Sequence, residues 1–152
     1  ALKQNGFACT AIDANIGGLL WLAENGQPSP DDSWTRRAVS HLNDNLADLK
    51  TPTLYTNRDR YRQRVMDVNR VIQVRCTPRF KISLSDYGDE DLSPVKIADL
   101  WTSARTFRDN PFYGYFREVL APEIEKNDDL FVGISICYLS QALTGFALAG
   151  WD

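Results

Sequence analysis

Histidine is almost missing from this chain: His41 is the only one in 152 residues. Any histidine chemistry would rest on that one side chain, and no carboxylate or second histidine stands at a telling spacing from it. A partly buried, hydrogen-bonded ring is the expectation for His41; an axial cofactor ligand or a general base is the sharper alternative. Cysteine is also scarce. Cys9, Cys76 and Cys137 are odd in number and far apart, which excludes a disulfide framework, and no Cys-x-x-Cys pair exists to seed a self-contained metal site. Reduced, buried thiols in a cytoplasmic protein are expected. No apolar run approaches the roughly 20 residues of a membrane span. Net charge is only -3 and the pI about 5.2, so nothing argues for nucleic acid or an acidic membrane as a partner of the whole surface. Internal repeats, low-complexity tracts, a signal peptide and a complete catalytic constellation are not visible either.

What is present is an ordinary globular composition, 43% hydrophobic and 24% charged, long enough for one domain with a real core. The stretch that organises it is Leu130 to Cys137. It is almost unbroken apolar residue, mostly β-branched or aromatic, and that pattern predicts a strand buried on both faces, as in a parallel sheet. Tyr138 to Gln141 then follow where such a strand meets its helix, and Leu139 to Ala149 reads as that helix. Ligands of open α/β sheets sit at the carboxyl ends of strands, so Ser135, Tyr138 and Gln141 are candidate site residues.

Ala1 to Gly6 reads as the last turn of a helix closed by a glycine. Phe7 to Ala14 reads as a strand ending at Asp13. The apolar spacing of Ile16, Leu19, Leu20 and Ala23 predicts a helix ended by Asn25-Gly26. Gln27 to Pro30 is a linker, and Asp31, Asp32 and Ser33 cap a helix with the stripe Trp34, Ala38, Leu42, Leu46 and Leu49. Beyond Pro52, Tyr61, Val65, Val68 and Ile72 form the stripe of another helix. Its other face is basic, with Arg58, Arg60, Arg62, Arg64, Arg70 and Arg75. Phe80 to Leu84 reads as a short strand or an extended connection, and Asp86, Asp89, Glu90 and Asp91 as a solvated acidic loop rather than a metal site. Ser93-Pro94 starts a helix that buries Ile97, Leu100, Trp101 and Ala104. Asn110-Pro111 starts one that buries Phe112, Tyr115, Phe116 and Val119, and Pro122 should kink it.

Two of these stretches, taken together, resemble the amino-terminal cobalamin-binding domain of cobalamin-dependent radical S-adenosylmethionine enzymes. The first is Leu2-Lys3-Gln4-Asn5-Gly6 with Asp13-Ala14-Asn15. The second is Asp129-Leu130-Phe131-Val132-Gly133-Ile134-Ser135-Ile136-Cys137-Tyr138-Leu139-Ser140-Gln141. The resemblance implies an α/β fold for residues 1–152: a helix-rich, partial doubly wound parallel sheet. Its strands, at about 7–13 and 130–137, would lie side by side around a long helical insertion over about 27–126. It implies cobalamin across the strand ends, with Ser135 meeting the nucleotide tail, Tyr138 and Gln141 behind it, and Asp13 and Asn15 reaching the same rim. Cys137 stands where that family usually has leucine.

The resemblance also implies that S-adenosylmethionine and an iron–sulfur cluster belong to other parts of a parent enzyme, with methyl transfer to a peptide or natural product as one candidate activity. It places the first cofactor loop outside these residues. Cobalamin binding by this chain alone is therefore expected to be weak or absent, and an exposed sheet edge is expected to favour a homodimer. The alternative is a non-catalytic α/β interaction domain using the basic face of residues 58–75.

Overall fold

The computed structural model describes residues 3–6, 9–26, 32–126 and 131–151. It is helix-rich, with one small antiparallel sheet. The helices are α1 (Ala14–Asn25), α2 (Ser33–Ser40), α3 (Leu42–Leu49), α4 (Arg58–Val74), α5 (Ile97–Arg105), α6 (Tyr113–Tyr115), α7 (Ala121–Glu125) and α8 (Ala142–Ala149). Strands β1 (Phe80–Ile82) and β2 (Tyr87–Asp89) pair antiparallel, with Lys81 opposite Gly88.

The longest helix, α4, is the hub. Its Val68, Val71 and Ile72 are fully buried, and α1, α2, α3 and β1 all pack against it. Asn57 caps its first turn by accepting a hydrogen bond from the Arg60 amide at 3.0 Å, and Arg75 at its end is the last residue before the turn into β1. One apolar cluster runs from Leu19 and Leu22 through Val71 and Phe80 to Phe116, Leu120 and Ala147. Within this packing Asn45 on α3 is fully buried, and neither of its side-chain polar atoms has a partner. Nothing in the structure explains that, and such groups cost on the order of 1–3 kcal/mol.

Several helices differ in phase or extent from the sequence expectation. The predicted helix over Trp34 to Leu49 is two helices, broken at His41, whose φ of -105° and ψ of 13° leave the helical region. His41 is exposed rather than half-buried, and its Nδ1 lies 3.6 Å from Asp44. In α1 the buried set is Gly18, Leu19, Leu22 and Ala23, whereas Ile16 is exposed. The rotation follows from the neighbour: Phe112 lies against Gly18 and the Tyr115 ring against Gly17, where any Cβ would collide. Bulky rings pack where α1 has no side chains, and that selects the face. On α5, Ile97 and Trp101 are 74% and 57% exposed; Ser103 and Ala104 face α8 instead, with Ser103 Oγ donating to the Leu143 carbonyl at 2.8 Å. Small residues let these two helices approach closely, which large ones would not. Val119 is likewise exposed. Before Pro122 the helix widens into a π-helical turn over Phe116–Leu120. A proline removes one helical N–H donor, and a register change is one way to accommodate it.

The predicted sheet is the largest difference. Among the described residues there is no parallel strand pair. Phe7, Ala8 and Leu130 lie outside the described residues, as do 27–31 and 127–129. Residues 9–12 form no strand, and Asp13 opens α1. Residues 131–137, where a strand buried on both faces is expected, form no strand: among the described residues they pair with no other segment, and they are exposed throughout. β-branched composition fixes the extended backbone; burial needs partner strands, and none of the described segments supplies one. Lys3–Asn5 is a single helical turn followed by Gly6 at a φ of 81°, as a glycine-closed turn requires.

Candidate functional site

Phe131 to Ala149 forms a strand-like segment, a turn and a helix that folds back on it. Along the extended part, side chains alternate between faces. Ile134 and Ile136 point toward α8, and Ile136 lies against Gly145, where a Cβ would come within 2.6 Å of its Cδ1. Glycine at that one position is what lets the helix lie on the segment. The other face carries Phe131, Gly133, Ser135 and Cys137. Phe131 is fully exposed, at 103%, and a side chain added at Gly133 would meet nothing within 4 Å.

The turn is closed by a side chain. Gln141 Oε1 accepts from the backbone N–H of Cys137 at 3.1 Å and of Tyr138 at 3.3 Å. This caps the short helical turn Leu139–Gln141 that leads into α8. Gln141 is thus a positioning residue, and its amide oxygen is not free to hold a ligand. Ser135 is the open group. Its Oγ has one polar neighbour, Cys137 Sγ at 3.7 Å, and no base. It can hydrogen-bond a ligand but is not activated as a nucleophile. Tyr138 projects beside it, 70% exposed.

Asp13 and Asn15 sit elsewhere in role. Asp13 caps α1, its Oδ1 accepting from the Ile16 N–H at 3.0 Å. Burial, together with the Asp13 carboxylate, raises the pKa of the Tyr115 phenol. Asn15 is exposed in the first turn of α1. Among the described residues no hydrogen bond links either of them to Ser135, Tyr138 or Gln141. Of the five, Tyr138 and Gln141 are joined by a hydrogen bond, from the Tyr138 N–H to Gln141 Oε1, and Ser135 Oγ contacts Cys137 beside them.

The basic face of α4 is mostly paired. Arg60 and Arg64 both hold Asp48, at 2.9 and 2.7 Å. Arg70 bonds Asp32 at 2.8 Å and Thr35 at 2.9 Å, and stacks over Trp34. Buried Asp67 accepts from Trp34 Nε1, Gln63 Nε2 and Arg37 through one oxygen. His41 lies in an open groove with Arg37, Asp44, Gln63, Arg64 and Asp67. This network was only partly legible as a site: Asp67 lies on α4 itself, but Asp48 comes from α3 and Asp32 from the residue before α2. The acidic loop is also not simply solvated: Asp89 is buried and takes a bidentate pair from Arg79, both bonds at 2.8 Å. Among the described residues no group of three or more His, Cys, Asp or Glu is placed to hold a metal ion.

These pairings set the response to acid. Hydrogen bonds from Arg64 and Arg60 lower the pKa of Asp48. In Asp67 and Asp89 burial pushes the other way, but the donors outweigh it, and both are lowered. A folded-state pKa below the unfolded value means stability that is present above the unfolded pKa, about 3.9, and lost as pH falls through the folded value. The melting temperature should therefore hold as pH is lowered to about 4.5 and then fall steeply. Circular dichroism melts across that range check this; a decline already under way at pH 6 would contradict it.

A scan against family models, a search of curated proteins and a search of solved structures each find no match to this chain. No described helix is long and apolar enough to cross a membrane.

Proposed function

We propose that this chain is the cofactor-binding part of a radical S-adenosylmethionine enzyme that uses cobalamin, and that the end of the segment Phe131 to Cys137 is where the cofactor's tail is held. One observation supports this best: an extended segment without charge, with neither edge paired among the described residues, runs into a tight turn and a helix packed over one of its faces. A β-branched segment exposed along both edges is the inner strand of a larger sheet. The doubly wound parallel sheet would form with strands from the rest of a parent protein, and α8 would cover one face of it.

The residues fit cobalamin in part. Ser135 offers a free hydroxyl beside Gly133, where backbone approach is unobstructed, and Tyr138 offers an exposed ring. Gln141 fits only as the residue that fixes the turn. Asp13 and Asn15 would contribute only if the parent brings the start of α1 to the same rim. When bound, cobalamin supplies a cobalt centre able to carry a methyl group, and the iron–sulfur cluster and S-adenosylmethionine belong to the parent's other parts. The role of this chain is to bind and orient: Ser135 donates to a tail oxygen, and Gln141 holds the turn that aims it. The basic-face reading is less favoured, because Asp48 and Asp32 already occupy Arg60, Arg64 and Arg70.

The test is reaction of the natural full-length protein, reconstituted anaerobically with iron and sulfide and then reduced. Formation of 5′-deoxyadenosine from S-adenosylmethionine, followed by mass spectrometry, is the expected result. A full-length sequence without the Cys-x-x-x-Cys-x-x-Cys motif that would hold the iron–sulfur cluster, and no such product, would refute the proposal.

A further inference from the structure

The segment Phe131 to Cys137 reads nearly the same from either end. Written antiparallel to itself about Ile134, it sets Ile134 opposite Ile134 and Val132 opposite Ile136. Gly133 then faces Ser135, and Phe131 faces Cys137. β-branched side chains thus oppose β-branched ones on one face. On the other, the two smallest residues meet, and an aromatic ring meets a sulfur, a favourable contact. No charged residue occurs from Phe131 to Gly150, so the pairing opposes no like charges. Among the described residues the backbone of 131–136 makes no hydrogen bond, which leaves its N–H and C=O groups free to form a ladder.

We propose that this segment takes a second copy of the same chain as its partner, by antiparallel pairing centred on Ile134. The arrangement is a two-fold, self-complementary contact in which each residue meets its counterpart. Both copies of α8 lie on the same face of the two-stranded ribbon, since opposed residues share a face. The apolar side chains of Val132, Ile134 and Ile136, now half-open, are brought together between the two helices. The opposite face, with Ser135 and Cys137, stays open. The exposed patch on α5 around Ile97 and Trp101 has no such self-complementary pattern and takes no part. This rests on reading 131–137 as a strand, which the proposed function shares, but it needs no cofactor.

The experiment uses the whole chain with Cys9 and Cys137 replaced by serine. Ile134→Cys should give, on mild oxidation, a dimer on non-reducing gels that a thiol reductant dissolves, because the two-fold axis brings the two sulfurs together. Ile97→Cys, more exposed (74% against 39% for Ile134) but off the axis, should give several-fold less. In parallel, light scattering of the unaltered chain should rise from 17.2 kDa toward twice that mass with concentration, and Ile134→Lys should stay monomeric with an unchanged circular dichroism spectrum. A mass of 17.2 kDa at every concentration, or cross-linking equally strong through Ile97→Cys, would overturn the proposal. Dimerisation through Ile134 in a protein whose full-length form makes no 5′-deoxyadenosine would keep this inference and remove the enzyme reading; the reverse outcome would do the opposite.

Discussion

Replacing Arg79 with leucine should lower the stability of the chain by about 3 kcal/mol, the low end for breaking a buried ion pair by removing one partner. The low end applies because the Arg79 side chain is about a third exposed while that of Asp89 is almost wholly buried. The loss arises less from the missing bonds than from Asp89, which keeps its charge in a site built for a guanidinium. Asp89→Asn should cost less, because an uncharged amide needs no counter-ion there. The double variant Arg79→Leu with Asp89→Asn should recover most of the loss, since no charge is then left unpaired. Urea unfolding of the four proteins closes the cycle. Equal, additive losses for the two single variants would mean that the pair is not coupled and that the β1–β2 hairpin stands on its apolar contacts alone.

The second large effect separates the helical body from the exposed segment. Leu143 is buried on α8, which packs on α5. Leu143→Ala should cost about 3 kcal/mol, in the middle of the range for truncating a buried leucine. Ile134→Ala, nine residues earlier, should cost less than about 1 kcal/mol in dilute solution, because the side chain there is already in contact with water on one side. If 131–137 were an inner strand of this chain's own sheet, the two losses would be alike. The contrast is therefore a measurement of where the core stops. Similar losses at both positions, by chemical unfolding at low protein concentration, would show that the segment is buried after all.

Local signals in the sequence carried over well. Asn25-Gly26, Pro52 and the apolar spacing of Val68 and Ile72 placed the end of α1, the turn before α4, and α4 itself, because caps and periodicity act within a few residues. Helix faces carried over less well. Ile97, Trp101 and Val119 have core-like chemistry, yet are exposed, since the face that is buried depends on which neighbour has room. Ser103 and Ala104, and likewise Gly17 and Gly18, are the closest contacts because they are small. The Asp89–Arg79 pair was hidden because an acid beside glycine in a loop looks solvated until the hairpin turns it toward an arginine, and the Asp48–Arg64 pair because it joins two helices, α3 and α4. Composition predicted a strand buried on both faces at Leu130 to Cys137, yet 131–137 are exposed, because burial depends on partner strands that lie elsewhere. Of the five candidate site residues, Tyr138 and Gln141 are joined by a hydrogen bond across a single turn. Asp13 and Asn15 depended on a sheet joining distant segments, which local pattern does not encode.

The central claim is that the end of this segment holds cobalamin. Titrating the natural full-length protein with hydroxocobalamin, and following the visible spectrum, tests it most directly. The account predicts saturable binding at micromolar concentration or tighter, weakened at least tenfold by Ser135→Trp, which would place a ring where the tail should lie, with the isolated chain binding far more weakly. No spectral change with the full-length protein, or binding indifferent to Ser135→Trp, would contradict it.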